Sequence, residues 1–133
     1  MTEDVLVASK GSFDRRPNRA ERERRGLPHE NTITRKDFMA WTLDTWYLAP
    51  ESARRVGHPA PFPVELPRRF IELFTFRGDT VLDPFMGLGA SAVACVTSGR
   101  HYVGYDTDAG YVKAARQRVK AVVAAEPPVP GAS

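Results

Sequence analysis

Residues 80–106 read TVLDPFMGLGASAVACVTSGRHYVGYD, and this stretch decides the fold. The pattern predicts a strand over 80–83, a glycine-bearing loop over 85–89, a helix of small residues over 90–98 and a strand over 101–105. Pro84 ends the first strand, and Gly99 ends the helix. A right-handed crossover through the helix makes the two strands parallel.

The flanking segments predict further helices. Asp108 starts one whose apolar residues share a face: Tyr111, Val112, Ala115, Val119 and Val122. Upstream, Thr34 can cap a short helix that runs to Trp46, and a helix over 66–74 carries Pro67 in its first turn. The fold class is therefore α/β, with parallel strands and flanking helices in a Rossmann-like arrangement. Because a parallel sheet needs several strands and two covered faces, we expect this sheet to be incomplete unless more strands or another chain complete it.

Length and composition limit the class of protein. With 133 residues, 42% hydrophobic and 26% charged, the chain is expected to form one globular domain, and general disorder or a collagen-like structure is excluded. It contains no run of 18 apolar residues and opens with the polar stretch MTEDVLVASK, so we expect a cytoplasmic protein with no membrane partner. The single cysteine, Cys95, is expected to pack as a small hydrophobic residue, and the three histidines lack metal-ligand spacing.

Basic residues are concentrated near the start of the chain. Between Lys10 and Arg25, seven basic residues accompany three acidic ones, and the pI of about 9.3 is compatible with a nucleic-acid partner. Such a run forms either a solvated arm or a contact with DNA phosphates. The predicted division is a basic, largely irregular arm over 1–33, a partial domain over 34–124 and a disordered, proline-rich tail over 125–133.

The region from the first strand to the end of the second predicts a nucleoside-cofactor site. Gly87 and Gly89 allow the backbone to approach a ligand, and the helix after them directs its free N–H groups toward it. Asp106 follows Gly89 by 17 residues, at the end of the second strand. A carboxylate there can accept both hydroxyls of an adenosine ribose.

Two cofactor classes share this pattern, and Asp83 distinguishes between them. Residues 87–92 satisfy the G-x-G-x-x-G/A fingerprint of dinucleotide-binding proteins. A carboxylate just before the loop would repel a pyrophosphate, by about 1–4 kcal/mol at a separation of about 4 Å. The same carboxylate would attract the α-ammonium group of S-adenosylmethionine. Electrostatics thus favours the methyl donor over a nicotinamide dinucleotide.

Three ordered blocks carry a family resemblance. They are HPAPFPVELP at 58–67, DPFMGLGAS at 83–91 and GYDTD at 104–108 with Tyr111 nearby. Over about 34–119, and more loosely from Lys10, the chain resembles the site-specific DNA amino-methyltransferases of restriction-modification systems. These enzymes methylate cytosine N4 or adenine N6 and have the S-adenosylmethionine-dependent methyltransferase fold.

The resemblance implies a set of cofactor-binding residues: Asp83, Pro84, Phe85, Gly87, Gly89, Ser91, Tyr105 and Asp106. The Asp83–Gly89 part would line the methionine end, Asp106 would hold the ribose, and Tyr105 would pack beside the adenine. Residues 61–63 would close the pocket. Ala90 replaces the hydroxyl residue usual in the family, and Ser91 would supply the missing hydrogen bond.

The catalytic motif of the family is missing from these 133 residues. The family localises the amino lone pair with a (D/N/S)PP(Y/F/W) loop that also stacks on the flipped base. The only adjacent prolines here are Pro127 and Pro128, with no aromatic residue after them. Catalytic residues are thus unassigned, and the resemblance implies S-adenosylmethionine and DNA as partners. The chain is either the cofactor-binding part of a split enzyme whose second chain carries the loop and remaining strands, a truncated product, or a non-catalytic cofactor- or DNA-binding fragment. A nicotinamide-dependent oxidoreductase fragment is disfavoured by Asp83.

Overall fold

The computed structural model describes residues 4–11, 17–49 and 62–125. Within them, the elements in chain order are α1 (Arg19–Arg24), α2 (Arg35–Trp41), α3 (Glu65–Phe74), β1 (Thr80–Asp83), α4 (Ala90–Thr97), β2 (His101–Gly104) and α5 (Ala109–Ala125). The predicted α/β class with parallel strands and flanking helices is confirmed. From α3 onward, each predicted element lies within about one residue of its place in the structure.

The two strands pair in parallel, with Thr80 opposite His101 and Asp83 opposite Gly104. Helix α4 connects them as the crossover. On one face of the sheet, Val81 and Tyr102 pack against the helices. On the other face, the side chains are exposed. One face of this sheet therefore belongs to the core and the other does not.

Helix α4 forms the centre of the core. Its residues 92–95 are buried. On one side they join Met86 and the α5 residues Ala115 and Val119, and on the other they contact Ile71 of α3. Small side chains on α4 allow both neighbouring helices to approach closely, which gives good packing with few large residues.

Helix α2 confirms the predicted cap but is shorter than expected. The Thr34 hydroxyl accepts a hydrogen bond from the Asp37 amide at 3.1 Å. The helix ends at Trp41 rather than Trp46. Both the amide and the hydroxyl of Thr42 donate to the Phe38 carbonyl, at 3.1 and 2.9 Å. The Thr42 hydroxyl also donates to the Met39 carbonyl at 3.4 Å, which is the acceptor that the next amide would use if the helix continued.

Helix α1 was not predicted, because it lies within residues 1–33 and has no apolar period. Asn18 caps it by accepting the Glu21 amide at 3.0 Å. Both α1 and the segment after it are tied to the amino-terminal ends of the strands. Arg22 of α1 forms an ion pair with Asp79, and the buried Arg100 donates to the Thr32 hydroxyl. Part of the arm expected to be irregular is thus folded onto the domain.

Some of the predictions concern residues outside the described part of the chain. These residues are 12–16 of the basic arm, 58–61 of the 58–67 block (which include Pro61 of the segment expected to close the pocket) and the tail after 125. The proposed division into arm, domain and tail stays a prediction. In the described ranges, no helix is both long and apolar enough to cross a membrane.

Candidate functional site

The loop after β1 and the end of β2 form one hydrogen-bonded edge. The Tyr105 amide donates to the Asp83 carbonyl at 3.0 Å, and the Met86 amide donates to the Tyr105 carbonyl at 2.9 Å. The Gly87 amide donates to Asp106 Oδ2 at 2.8 Å. The structure therefore brings the predicted residues of the two strands together at the carboxyl ends of the sheet.

Asp106 is the acceptor at the centre of this edge. Its Oδ1 accepts the Asp108 amide at 2.9 Å, and its Oδ2 accepts the Gly87 amide. Hydrogen bonds from the Asp108 and Gly87 amides hold the pKa of Asp106 below its ordinary value of 3.8. The carboxylate is therefore ionised at neutral pH and acts only as an acceptor. An ionised carboxylate has about four lone-pair directions, so Asp106 keeps acceptor capacity for a ligand hydroxyl beyond these amide bonds.

Asp83 fixes the turn that leaves β1. Its Oδ1 accepts the Phe85 amide at 3.0 Å across Pro84. Pro84 is exposed, and the Phe85 ring is 87% exposed. Tyr105, at the end of β2, is also 62% exposed. Two aromatic rings thus stand in solvent at the edge that carries both aspartates.

Positions 87 and 89 each favour glycine, but for partly different structural reasons. Both adopt positive φ, 51° at Gly87 and 77° at Gly89. A Cβ on Gly87 would meet no atom within 4 Å, so the space in front of this residue is open to a ligand. A Cβ on Gly89 would lie 2.8 Å from the Ala115 Cβ. Gly89 therefore also permits the close approach of α4 and α5.

The first turn of α4 presents free hydrogen-bond donors. Gly89 occupies the cap position and offers no side-chain oxygen. Within the described ranges, no group accepts from the amides of Ala90, Ser91 and Ala92. Ala90 has no hydroxyl, whereas Ser91 places one in this turn. Free amides at a helix N-terminus favour an anionic or polar ligand group.

Sequence reasoning missed the contact between Met86 and Gly104. Met86 is buried, and a Cβ on Gly104 would overlap its Sδ and lie 3.1 Å from its Cγ. Met86 thus fits over a strand residue that has no side chain, which places the loop directly on β2. The sequence did contain a signal for this contact, because a glycine inside a strand often marks a place where another group packs closely against the backbone.

The structure separates part of the basic arm from this edge. Arg22 contacts Asp79, which precedes β1, and its guanidinium lies 4.8 Å from the centroid of the Phe76 ring. The amino ends of the strands lie opposite the glycine loop. Among the seven basic residues of the arm, Arg22 is therefore a structural residue and not a free phosphate contact.

The other residues considered for chemistry have structural positions. Trp41 is buried, with the Arg68 guanidinium 4.8 Å from its ring centroid, and Trp46 packs on Phe70 at 5.0 Å between ring centroids. Cys95 is fully buried, as predicted, and burial raises the pKa of its thiol to about 11. In the part of the chain that the structure describes, no group of three metal-ligating side chains forms a cation site.

Comparison with known proteins adds independent information. Residues 1–117 match the profile of the N6/N4 DNA methylase family. The type II methyltransferase M.BglI of Bacillus subtilis is 35% identical over 91 residues, which are 68% of this chain and 26% of that protein. The type II methyltransferase M.Cfr9I of Citrobacter freundii is 33% identical over 116 residues, 87% of this chain and 34% of the relative.

A solved structure shares the fold. TTHA0409 of Thermus thermophilus, described as a DNA modification methylase, superposes with a TM-score of 0.65 and 26% identity in its complex with S-adenosyl-L-methionine. The match covers 94% of this chain and 50% of that one. The chain thus spans about a quarter to a third of the length of the curated relatives named above, and half of the structural one.

Proposed function

Because the chain belongs to the N6/N4 DNA methylase family, we propose that it provides the S-adenosylmethionine-binding part of an enzyme that methylates a base amino group in DNA, at adenine N6 or cytosine N4. The observation that carries this proposal is the ionised Asp106, bonded to Gly87 beside the uncapped start of α4. A hydroxyl acceptor and N–H donors for an anionic group thus occur at one edge.

Each group at this edge has a proposed role. Asp106 accepts the ribose hydroxyls, and the α4 amides with the Ser91 hydroxyl bind the methionine carboxylate. Tyr105 packs beside the adenine. The residues proposed for the methionine end are Asp83, Pro84, Phe85, Gly87 and Gly89. The open space in front of Gly87 and the exposure of both aromatic rings are consistent with these roles.

Asp83 supports the choice of a cationic cofactor. Among the described residues, its side chain makes one hydrogen bond, in which Oδ1 accepts from the Phe85 amide, and Oδ2 keeps its acceptor capacity. An ammonium group would gain from this carboxylate, whereas a pyrophosphate would be repelled. S-adenosylmethionine, when bound, supplies a methyl group on a sulfonium centre. The chain's own part is to hold and orient that molecule.

Catalysis requires groups that these 133 residues do not carry. Their sequence has no (D/N/S)PP(Y/F/W) motif. We assign the catalytic loop to another segment or a second chain. The same observation favours one alternative, a non-catalytic fragment that binds cofactor or DNA.

DNA is the proposed substrate, and the exposed arginines in and just after α1 are candidate phosphate contacts. Arg19, Arg24 and Arg25 are exposed, in contrast to Arg22. Such contacts would make DNA affinity strongly dependent on salt.

Calorimetric titration tests the cofactor proposal. The chain should bind S-adenosylmethionine and not NAD, and Asp106→Ala should weaken binding at least about tenfold, the scale of one lost hydrogen bond to a charged group. Asp44→Ala is the matched control, since Asp44 is an exposed aspartate outside the edge. Equal affinity of the Asp106→Ala variant would refute the ribose role.

A further inference from the structure

The sheet has one apolar face that the described helices leave uncovered. Leu82 of β1 and Val103 of β2 are directly paired in register, and they are 63% and 41% exposed. Their neighbours Val81 and Tyr102 point the other way and pack against Ile71 and the buried residues of α4. We call the surface formed by Leu82 and Val103 the open face.

This exposure is unusual for the type of sheet. Parallel sheets are normally covered on both faces, because their strands carry apolar residues on both sides. Here the alternation continues to Tyr105, two residues after Val103 and 62% exposed. A row of apolar side chains across paired strands is the surface that another layer of the same fold would cover.

The strand edges indicate the same conclusion. The sheet that the structure describes has two strands, and β1 and β2 each pair only with one another there. Each strand therefore presents a second edge of N–H and C=O groups. Unpaired edges readily accept additional strands. A partner that covers the open face and also supplies strands would bury the apolar side chains and pair the free N–H and C=O groups.

We propose that the open face and the free strand edges bind the catalytic half of the methylase, a segment outside these 133 residues that carries further strands and an apolar helix. This proposal rests on the proposed function. We choose this occupant because the structural match includes 94% of this chain but only 50% of TTHA0409. Half of the TTHA0409 fold therefore has no counterpart in these 133 residues. Two exposed apolar residues on a two-stranded sheet would be a small interface for a second copy of this chain, compared with what a stable dimer buries.

The test uses the part of TTHA0409 outside the matched region, expressed as a separate polypeptide, as the probe. The probe must first bind the matched part of TTHA0409, which serves as the positive control. The 133-residue chain is then titrated with the probe in sedimentation experiments. We expect binding, and we expect Leu82→Lys and Val103→Lys each to weaken it by about 100-fold or more, because a lysine would be buried in an apolar contact.

A lysine substitution outside the sheet controls for the effect of an added surface charge. Val123 of α5 is 53% exposed and belongs to neither strand, so Val123→Lys should change the affinity less than about threefold. Circular dichroism melts establish that the variants fold; Leu82 and Val103 are already exposed, so folding should be retained.

Three outcomes would overturn the proposal. They are no binding of the chain by a probe that binds the positive control, equal binding by the lysine variants and the parent chain, or self-association of the chain that Leu82→Lys abolishes. Calorimetry with S-adenosylmethionine is run on the same samples. Loss of the interface with cofactor binding intact rejects this proposal alone, whereas absence of cofactor binding rejects the proposed function.

Discussion

The contact between Met86 and Gly104 offers a quantitative test of how the glycine loop over 85–89 is held. Gly104 lies in β2 without positive φ, so alanine is allowed there by the backbone and would otherwise stabilise a strand slightly. A Cβ at this position, however, would overlap Met86 Sδ and lie 3.1 and 3.2 Å from Cγ and Cε. The Met86 side chain would have to leave its buried position. We expect Gly104→Ala to destabilise the chain by about 1–3 kcal/mol, the usual cost of overpacking.

A double-mutant cycle separates this steric effect from others. Met86→Ala alone should cost about 2–5 kcal/mol, because it leaves a cavity beside α4. In the double variant, the methyl group of residue 104 partly fills that cavity. The two costs should therefore combine to less than their sum by about 1–3 kcal/mol.

Urea unfolding of the four proteins, followed by circular dichroism, measures the free energy of unfolding in each. Calorimetry of Gly104→Ala with S-adenosylmethionine adds a functional readout, since Met86 is adjacent to Gly87 and a shifted loop should bind more weakly. The reasoning is refuted if Gly104→Ala is as stable as the parent chain, or if the two substitutions are additive.

Three further outcomes are expected. Arg22→Met should lower the free energy of unfolding by about 1–3 kcal/mol, because it leaves Asp79 partly buried without its ion pair, and Arg24→Met, an exposed control, should have little effect in the same urea experiment. Cys95, with its pKa raised to about 11, should react with a thiol reagent at pH 8 only as the chain unfolds, so rapid labelling of the native protein would contradict its burial. The pKa of Asp106 is lowered in the folded chain. The hydrogen bonds to its carboxylate therefore stabilise the fold fully at pH values above 3.8, its ordinary pKa, and this stabilisation is lost as the pH falls through the folded pKa. S-adenosylmethionine affinity should therefore be constant from pH 8 to 5 as far as Asp106 is concerned, and a titration of affinity near pH 6 that Asp106→Asn removes would contradict this assignment.

The elements from α3 onward could be predicted because their signals are local. Pro84 ends β1, Gly99 follows α4, and Asp108 caps α5 by accepting the Gly110 and Tyr111 amides at 2.7 and 3.1 Å. Each signal lies within a few residues of the boundary that it determines. Local signals of this kind do not depend on the tertiary fold.

Helix α1 was not predicted, because its one local signal is the Asn18 cap and long-range contacts hold it. It has no apolar stripe, and Arg22 reaches Asp79 across 57 residues. Short isolated helices are marginal in water, so the tertiary contact decides whether this one forms. The fit of Met86 over Gly104 is missed for a similar reason, since a loop length alone does not specify which side chain fills the space over a strand.

At the candidate site, sequence reasoning located the residues but not their connections. The pattern predicted that Gly87 and Asp106 would lie at the same edge, which the structure confirms. It did not predict the bond between them at 2.8 Å or the effect of that bond on the pKa of Asp106. Parallel pairing determines which ends of strands meet, whereas individual hydrogen bonds depend on backbone positions within a few tenths of an ångström.

The two ends of the sheet serve different purposes, and this has a consequence for catalysis. At the amino end, Arg22 and Arg100 use their donors to tie the preceding segment to the domain. At the carboxyl end, the ties from Tyr105, Met86 and Gly87 need only β1, β2 and the loop between β1 and α4, all of which this chain contains. The edge that we propose to bind the cofactor is thus formed without the segment that we propose to cover the open face. Cofactor binding should therefore be a property of this chain alone, while methyl transfer should require the complementary half.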